Sequence, residues 1–152
     1  MGDLSKLKSA AGNYKGANRL HYPPDTKPDD TTSDLNLNAI LNGRFVRIDY
    51  TWSYQNAPQE GSMLIGFDPD ENLVSVHWID TWHMSNKVLA LQGAVESDGS
   101  INVLGSYPAP PDPDWGWRIV IKPGDNALNI AMFNISPQGD EYPAVEASYN
   151  KS

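Results

Sequence analysis

From residue 43 to residue 82 the chain passes through three successive runs of β-branched and aromatic residues, separated only by short polar breaks. In the first run Val46, Ile48, Tyr50, Trp52 and Tyr54 share one parity, while Arg47, Asp49, Thr51 and Ser53 share the other. That period of two belongs to a strand with two unlike faces. The link Phe67-Asp68-Pro69-Asp70-Glu71-Asn72 then turns the chain back into a third run at residues 73–82. A meander this long cannot lie flat with open edges, so it demands a curled or closed sheet.

The flanking sequence extends the same pattern. Residues 12–22 read as a first strand with Tyr14, Leu20 and Tyr22 on one parity, and residues 32–42 as a second with Leu35, Leu37, Ala39 and Leu41 opposed to asparagines. Between them, residues 25–34 carry acidic clusters and Pro28 and are expected to be a solvated loop. Ser97-Asp98-Gly99 marks a hairpin, and residues 108–114, rich in proline, read as an extended surface link. Trp115, Trp117, Ile119 and Ile121 then alternate with Arg118, Val120 and Lys122. Two further strands follow the turns at residues 123–126 and 137–140. Leu4, Leu7 and Ala10 or Ala11 fall at helical spacing, so residues 1–11 are expected to form a tail or short helix, and residues 12–150 one barrel domain. With no helix long enough for a parallel crossover, the fold class is all-β, an antiparallel up-and-down barrel of eight to ten strands.

Composition narrows the partners. A chain of 152 residues fits one domain, which buries roughly 70% of its extended surface. Eleven basic against nineteen acidic residues give a net charge of −8, which repels a phosphate backbone and argues against nucleic acid. No run reaches the roughly 18 apolar residues of a membrane span, and the N-terminal segment lacks the apolar core of a signal peptide, so a soluble, cytoplasmic protein without a membrane partner is expected. The chain has no cysteine, which excludes disulfides and thiol chemistry.

Short motifs point to a family. Gly12-Asn13-Tyr14-Lys15-Gly16 resembles the Gly-x-Trp-x-Gly opening of lipocalin-like (calycin) barrels, with Tyr14 in the tryptophan's place. Leu41-Asn42-Gly43-Arg44-Phe45, Glu60-Gly61, Gly66-Phe67-Asp68-Pro69 and Trp78-Ile79-Asp80 together resemble an uncharacterised bacterial family placed in the calycin superfamily. The resemblance implies a barrel with a central cavity and no assigned activity. Nitrobindin-like haem barrels open similarly and hold haem through a histidine near the C-terminus. Here the histidines are His21, His77 and His83, so haem is disfavoured and no cofactor is expected.

Candidate site residues follow from strand parity. A metal site at His77-x-x-Asp80-x-x-His83 is not expected: on an extended strand the two imidazoles stand roughly 20 Å apart with Asp80 on the opposite side. Asp68-x-Asp70-x-Asn72 reads as a hairpin turn, because Leu73 and Ile79 occupy positions where a calcium loop needs glycine and glutamate. No nucleophile elbow, phosphate loop or zinc-protease motif is present. The polar residues that parity could direct inward are Arg47, Asp49, Arg118, Glu146, Tyr50, Tyr54, Tyr142 and Tyr149; Arg47 and Asp49 could equally pair on the outer wall. The tryptophans serve either as core or as an aromatic pocket wall. The first reading is a non-catalytic binding protein whose cavity, lined by Arg47, Tyr50, Trp52, Trp78, Trp117 and Arg118, takes a small apolar or aromatic molecule. The alternatives are a small cofactor-free enzyme using tyrosine, arginine and a carboxylate, as in calycin-type phenolic acid decarboxylases, and an interaction module with a filled barrel. A second copy of the chain, in a homodimer, is the protein partner envisaged.

Overall fold

The computed structural model describes residues 2–152. One short helix, α1 (Ser5–Ser9), precedes ten strands: β1 (Gly12–Leu20), β2 (Asp29–Ile40), β3 (Phe45–Tyr54), β4 (Ala57–Asp68), β5 (Leu73–Asp80), β6 (Leu89–Val95), β7 (Ile101–Ala109), β8 (Asp112–Gly124), β9 (Ala127–Ile135) and β10 (Glu141–Lys151). Each pairs antiparallel with its sequence neighbours, and β10 returns to β1 to close the barrel. Closure leaves no free edge, which is how an all-β chain avoids edge-to-edge association. At the closing seam Gly16 faces Tyr149, where a Cβ would run into the Ser148 carbonyl. That close approach, rather than a turn, accounts for the second glycine of the Gly-x-Tyr-x-Gly opening.

Alternation sets the interior. Val46, Ile48, Tyr50 and Trp52 from β3 point inward, as do Val74, Val76 and Trp78 from β5 and Trp117, Ile119 and Ile121 from β8, all at most 8% exposed. The outer wall carries ion pairs between neighbouring strands, including Lys15–Asp34 at 3.0 Å and Arg19–Asp30 at 2.8 Å, which solvent screens so that each contributes little. Among the described residues no helix is long and apolar enough to cross a membrane.

Two expectations about loops need correction. β2 already begins at Asp29, pairing Asp29 with Leu20 and Asp30 with Arg19; the Asp30 and Asp34 carboxylates meet Arg19 and Lys15 on β1, so acidity does not prevent strand pairing. The proline-rich segment is not a long link but a tight hairpin in which Ala109 pairs with Asp112 and the register shifts beside Tyr107. The shift at Pro108 accommodates the missing backbone donor.

The two barrel ends are closed differently. At the end where β1 starts, α1 packs Leu4 and Leu7 into the core, both at most 2% exposed. Tyr14 Oη donates to the Ala10 carbonyl at 2.6 Å, and Lys6 Nζ donates to the Asp98 carbonyl at 2.7 Å, tying the helix to the β6–β7 hairpin. Helix α1 is therefore a plug. Leu7→Ala should lower unfolding free energy by about 2–4 kcal/mol, and Lys6→Ala by about 0.5 kcal/mol or less, as measured by urea denaturation; equal effects would mean that α1 does not pack on the core.

Candidate functional site

The opposite end holds the aromatic residues. Strand β5 stops at Asp80 because its side chain captures the next backbone amides: Trp82 N–H and His83 N–H donate to Asp80 Oδ1 at 2.8 and 3.0 Å. This Asx-type turn folds the chain back over the mouth. The expected extended run through residue 82 is therefore broken. His77 faces solvent on β5 while Asp80 is 3% exposed, and His83 swings inside instead of sharing a face with His77. Among the described residues no cluster of His, Cys, Asp or Glu could hold a metal ion.

Asp80 also organises the wall beneath. Its Oδ2 accepts Tyr50 Oη–H at 2.7 Å and Trp52 Nε1–H at 3.2 Å, and Trp78 Nε1–H donates to Tyr50 Oη at 2.8 Å. Gly61, which pairs with both Tyr50 and Asp80, makes the room: a Cβ there would collide with the Tyr50 ring. Burial, then the Asp80 charge and the hydrogen bond to it, push the Tyr50 hydroxyl well above its ordinary value, so it stays a neutral donor.

Around His83 the rings converge. Its centroid lies 4.8 Å from Trp82, 5.2 Å from Trp78, 5.5 Å from Trp52 and 5.6 Å from Trp117. Trp78 and Trp117 stack at 5.4 Å. Outside them, Trp82 is covered by Tyr54 at 5.0 Å and Tyr22 at 5.3 Å. Trp117 Nε1–H is buried without an acceptor. Desolvation in this cage lowers the His83 pKa from 6.5 to about 4, against the opposing pull of the Asp80 charge.

Below His83 lies a small void, about 10 Å³, bordered by Asn18, Tyr50, Asp80, Met132 and Tyr149. That is space for about one water molecule. Burial pushes the Tyr149 hydroxyl up to about 12, and it shares a 2.8 Å hydrogen bond with Ser33 Oγ. The larger concavity, about 1020 Å³, is an open trough on the outer wall of β1–β5. Its rungs already bond one another, as in Ser62 Oγ–H to Asp49 at 2.6 Å and Arg47 Nε–H to Asp49 at 3.1 Å. We place the site at the mouth, where buried polar groups and aromatic faces meet, rather than in the solvated trough.

Of the residues singled out in the sequence, Tyr50, Trp52, Trp78 and Trp117 are brought together at the mouth. Arg47 and Arg118 are not. Arg47 sits outside, 3.0 Å from Asp49, and Arg118 lies against Glu141 at 3.1 Å and Asn102 at 2.9 Å. Both alternate with core residues on their strands, and turning either inward would flip every neighbour and bury a guanidinium. Glu146 faces His21 on the outer wall, and Tyr142 is half exposed. Asp80 and His83 were missed as site residues; an aspartate ending a strand two residues before an aromatic pair was the available signal.

Asp80→Ala strands four donors and should cost about 3–5 kcal/mol of stability by urea denaturation; a loss below 1 kcal/mol would show that the network is not structural. The His83 proton gives a second measure. Between pH 4 and 6.5 the unfolded chain binds it and the folded chain does not, so His83 adds stability above pH 6.5 that is lost as pH falls toward 4. The contribution is up to about 3 kcal/mol. Relative to wild type, His83→Gln should flatten stability against pH across this window, and parallel profiles would refute the assignment.

No curated protein matches this chain. Among solved structures, the crystal structure of Rv2717c from M. tuberculosis is similar over 98% of this chain and 96% of that one, with a TM-score of 0.63 at 13% identity. At that identity the likeness is one of fold. A family model described as "Protein of unknown function (DUF1579)" matches residues 5–151. The match runs from the first residue of α1 to the last of β10, and the chain belongs to this family of proteins of unknown function.

Proposed function

We infer that the protein is a non-catalytic binding protein that takes a small apolar or aromatic molecule at the mouth closed by residues 81–88. The observation that carries this reading is the ring cluster around His83, where four indoles face one imidazole supplied by a loop rather than a strand. Elsewhere the interior is mostly Ile, Val, Leu and Met, with Tyr14 and Tyr149 apart, so the indoles are concentrated at this one end. Aromatic walls with few polar groups suit a ligand. In the closed form the His83 ring occupies the ligand's volume, and binding displaces it while Trp82 stays as part of the wall.

The small void favours a second reading, an interaction module with a filled interior. For the enzyme reading, the arginines and Glu146 it needs inside stand on the outer wall, leaving Tyr50, Asp80 and His83 as the buried titratable groups at the mouth. The binding reading is also consistent with a soluble protein.

A neutral hydrophobic dye such as N-phenyl-1-naphthylamine separates the first two readings. With a displaceable plug the dye should brighten while tryptophan emission quenches in step, and Trp117→Ala should weaken binding by about tenfold, the loss of roughly 1.4 kcal/mol of aromatic contact. No dye uptake by wild type or by His83→Ala would favour the filled module.

A further inference from the structure

We propose that the aromatic mouth is a site for a small organic cation with an alkylated ammonium head group, and that the His83 ring stands in its place in the closed form. The proposal rests on reading the mouth as a ligand site and names the chemistry of the ligand. The rings make the first half of the case. Four indole centroids lie 4.8–5.6 Å from the imidazole centroid, within the roughly 6 Å over which a cation is attracted to an aromatic ring, and tryptophan is the strongest such partner. An imidazole is flat and a trimethylammonium group thicker and rounder, so the cation enters as the His83 ring leaves and the indoles part around it.

Charge makes the second half. Asp80 is 3% exposed, and its four hydrogen bonds all come from neutral donors: Tyr50 Oη–H, Trp52 Nε1–H and two backbone amides. It takes part in none of the ion pairs among the described residues, all of which lie on the outer wall. Because burial keeps His83 neutral at pH 7, the cage holds no positive charge of its own. Neutral donors offset only part of the cost of burying a carboxylate, and a cation in the place of the His83 ring would offset more of it. The surrounding charge of −8 attracts cations from solution. An anionic ligand would meet repulsion from both sources, and a neutral one would gain nothing from the Asp80 charge. The unpaired Trp117 Nε1–H adds a preference for a ligand oxygen, such as a hydroxyl, near the head group.

Calorimetric titration of the full chain with choline, tetramethylammonium and the neutral isostere of choline, 3,3-dimethylbutan-1-ol, tests the proposal at low salt. Choline should bind about tenfold or more tighter than its isostere, the factor expected for a desolvated cation over aromatic faces. His83→Ala, which removes the competing ring, should tighten choline binding several-fold, and Asp80→Asn should narrow the gap between choline and isostere. Sedimentation with phosphatidylcholine vesicles assigns the source: retention released by free choline indicates the lipid head group, and no retention indicates a free solute. Equal affinities for choline and isostere in wild type overturn the cation and leave an apolar binding site standing. No binding of either to wild type or His83→Ala overturns the cation too, and if the neutral dye is also excluded the binding reading falls with it. The wild-type comparison decides the question even where a variant does not fold.

Discussion

A carboxylate removed from water must be solvated by something else, and in this barrel the groups that solvate Asp80 are the ones that shape one end of the molecule. Two are the amides of Trp82 and His83, so satisfying Oδ1 ends β5 and turns the chain inward. Two are the ring donors of Tyr50 and Trp52, so satisfying Oδ2 fixes the side chains of β3. Trp78 then joins through Tyr50. One buried charge thereby couples a strand end, a loop and the aromatic wall. Hydrogen bonds to a charged group are among the stronger ones available in a protein, and a half-satisfied network is worse than none.

The barrel's outer wall behaves differently. There the charged pairs sit at the surface, within one strand as in Arg47–Asp49 or between strands as in Lys15–Asp34 and Arg19–Asp30, and contribute little each. Their main effect is to keep guanidinium and ammonium groups away from the mouth, with Arg47, Arg118, Arg19 and Lys15 each beside a carboxylate on the same surface. The negative interior site and the balanced exterior are consequences of the same alternation along the strands.

Alternation is also why the fold was legible and the site only partly so. Val46 to Tyr54 and Trp115 to Lys122 showed two unlike faces directly, and the barrel of eight to ten antiparallel strands followed from such runs and the turn residues between them. Those same parities place Tyr50, Trp52, Trp78 and Trp117 inside. They fail where the chain leaves the strand. His83 could be located only by knowing that Asp80 accepts backbone amides, a local competition between side chain and ladder that periodicity does not register. Arg47 and Arg118 show the opposite limit: each alternates strictly, but parity alone does not say which face is the interior until the neighbouring strands fix it. The Asp29 start of β2 was obscured because acidity mimics a loop, and the Pro108–Asp112 hairpin because a bulge hides the missing donor.

Strand number gives the mouth its meaning. Eight strands make a barrel just wide enough for side chains to fill, and diameter grows with each strand added. Ten strands here leave a void of about 10 Å³, so the additional width has been taken up by something. Part is taken by large inward residues such as Trp78, Tyr14 and Met63, and part by plugs from the ends: α1 with Leu4 and Leu7 at one, Trp82 and His83 at the other. The two plugs are unlike. The helix enters with aliphatic side chains and is anchored by Tyr14 and Lys6, whereas the loop enters with an imidazole surrounded by indoles and is tied to the barrel through Asp80 and through Thr81, which bonds Gln59 and Glu60 of β4. Withdrawing the helix would expose aliphatic core with nothing to compensate it. Withdrawing the loop would expose aromatic faces and a carboxylate, groups that another molecule can satisfy, and this asymmetry makes the His83 end the one suited to exchange its occupant.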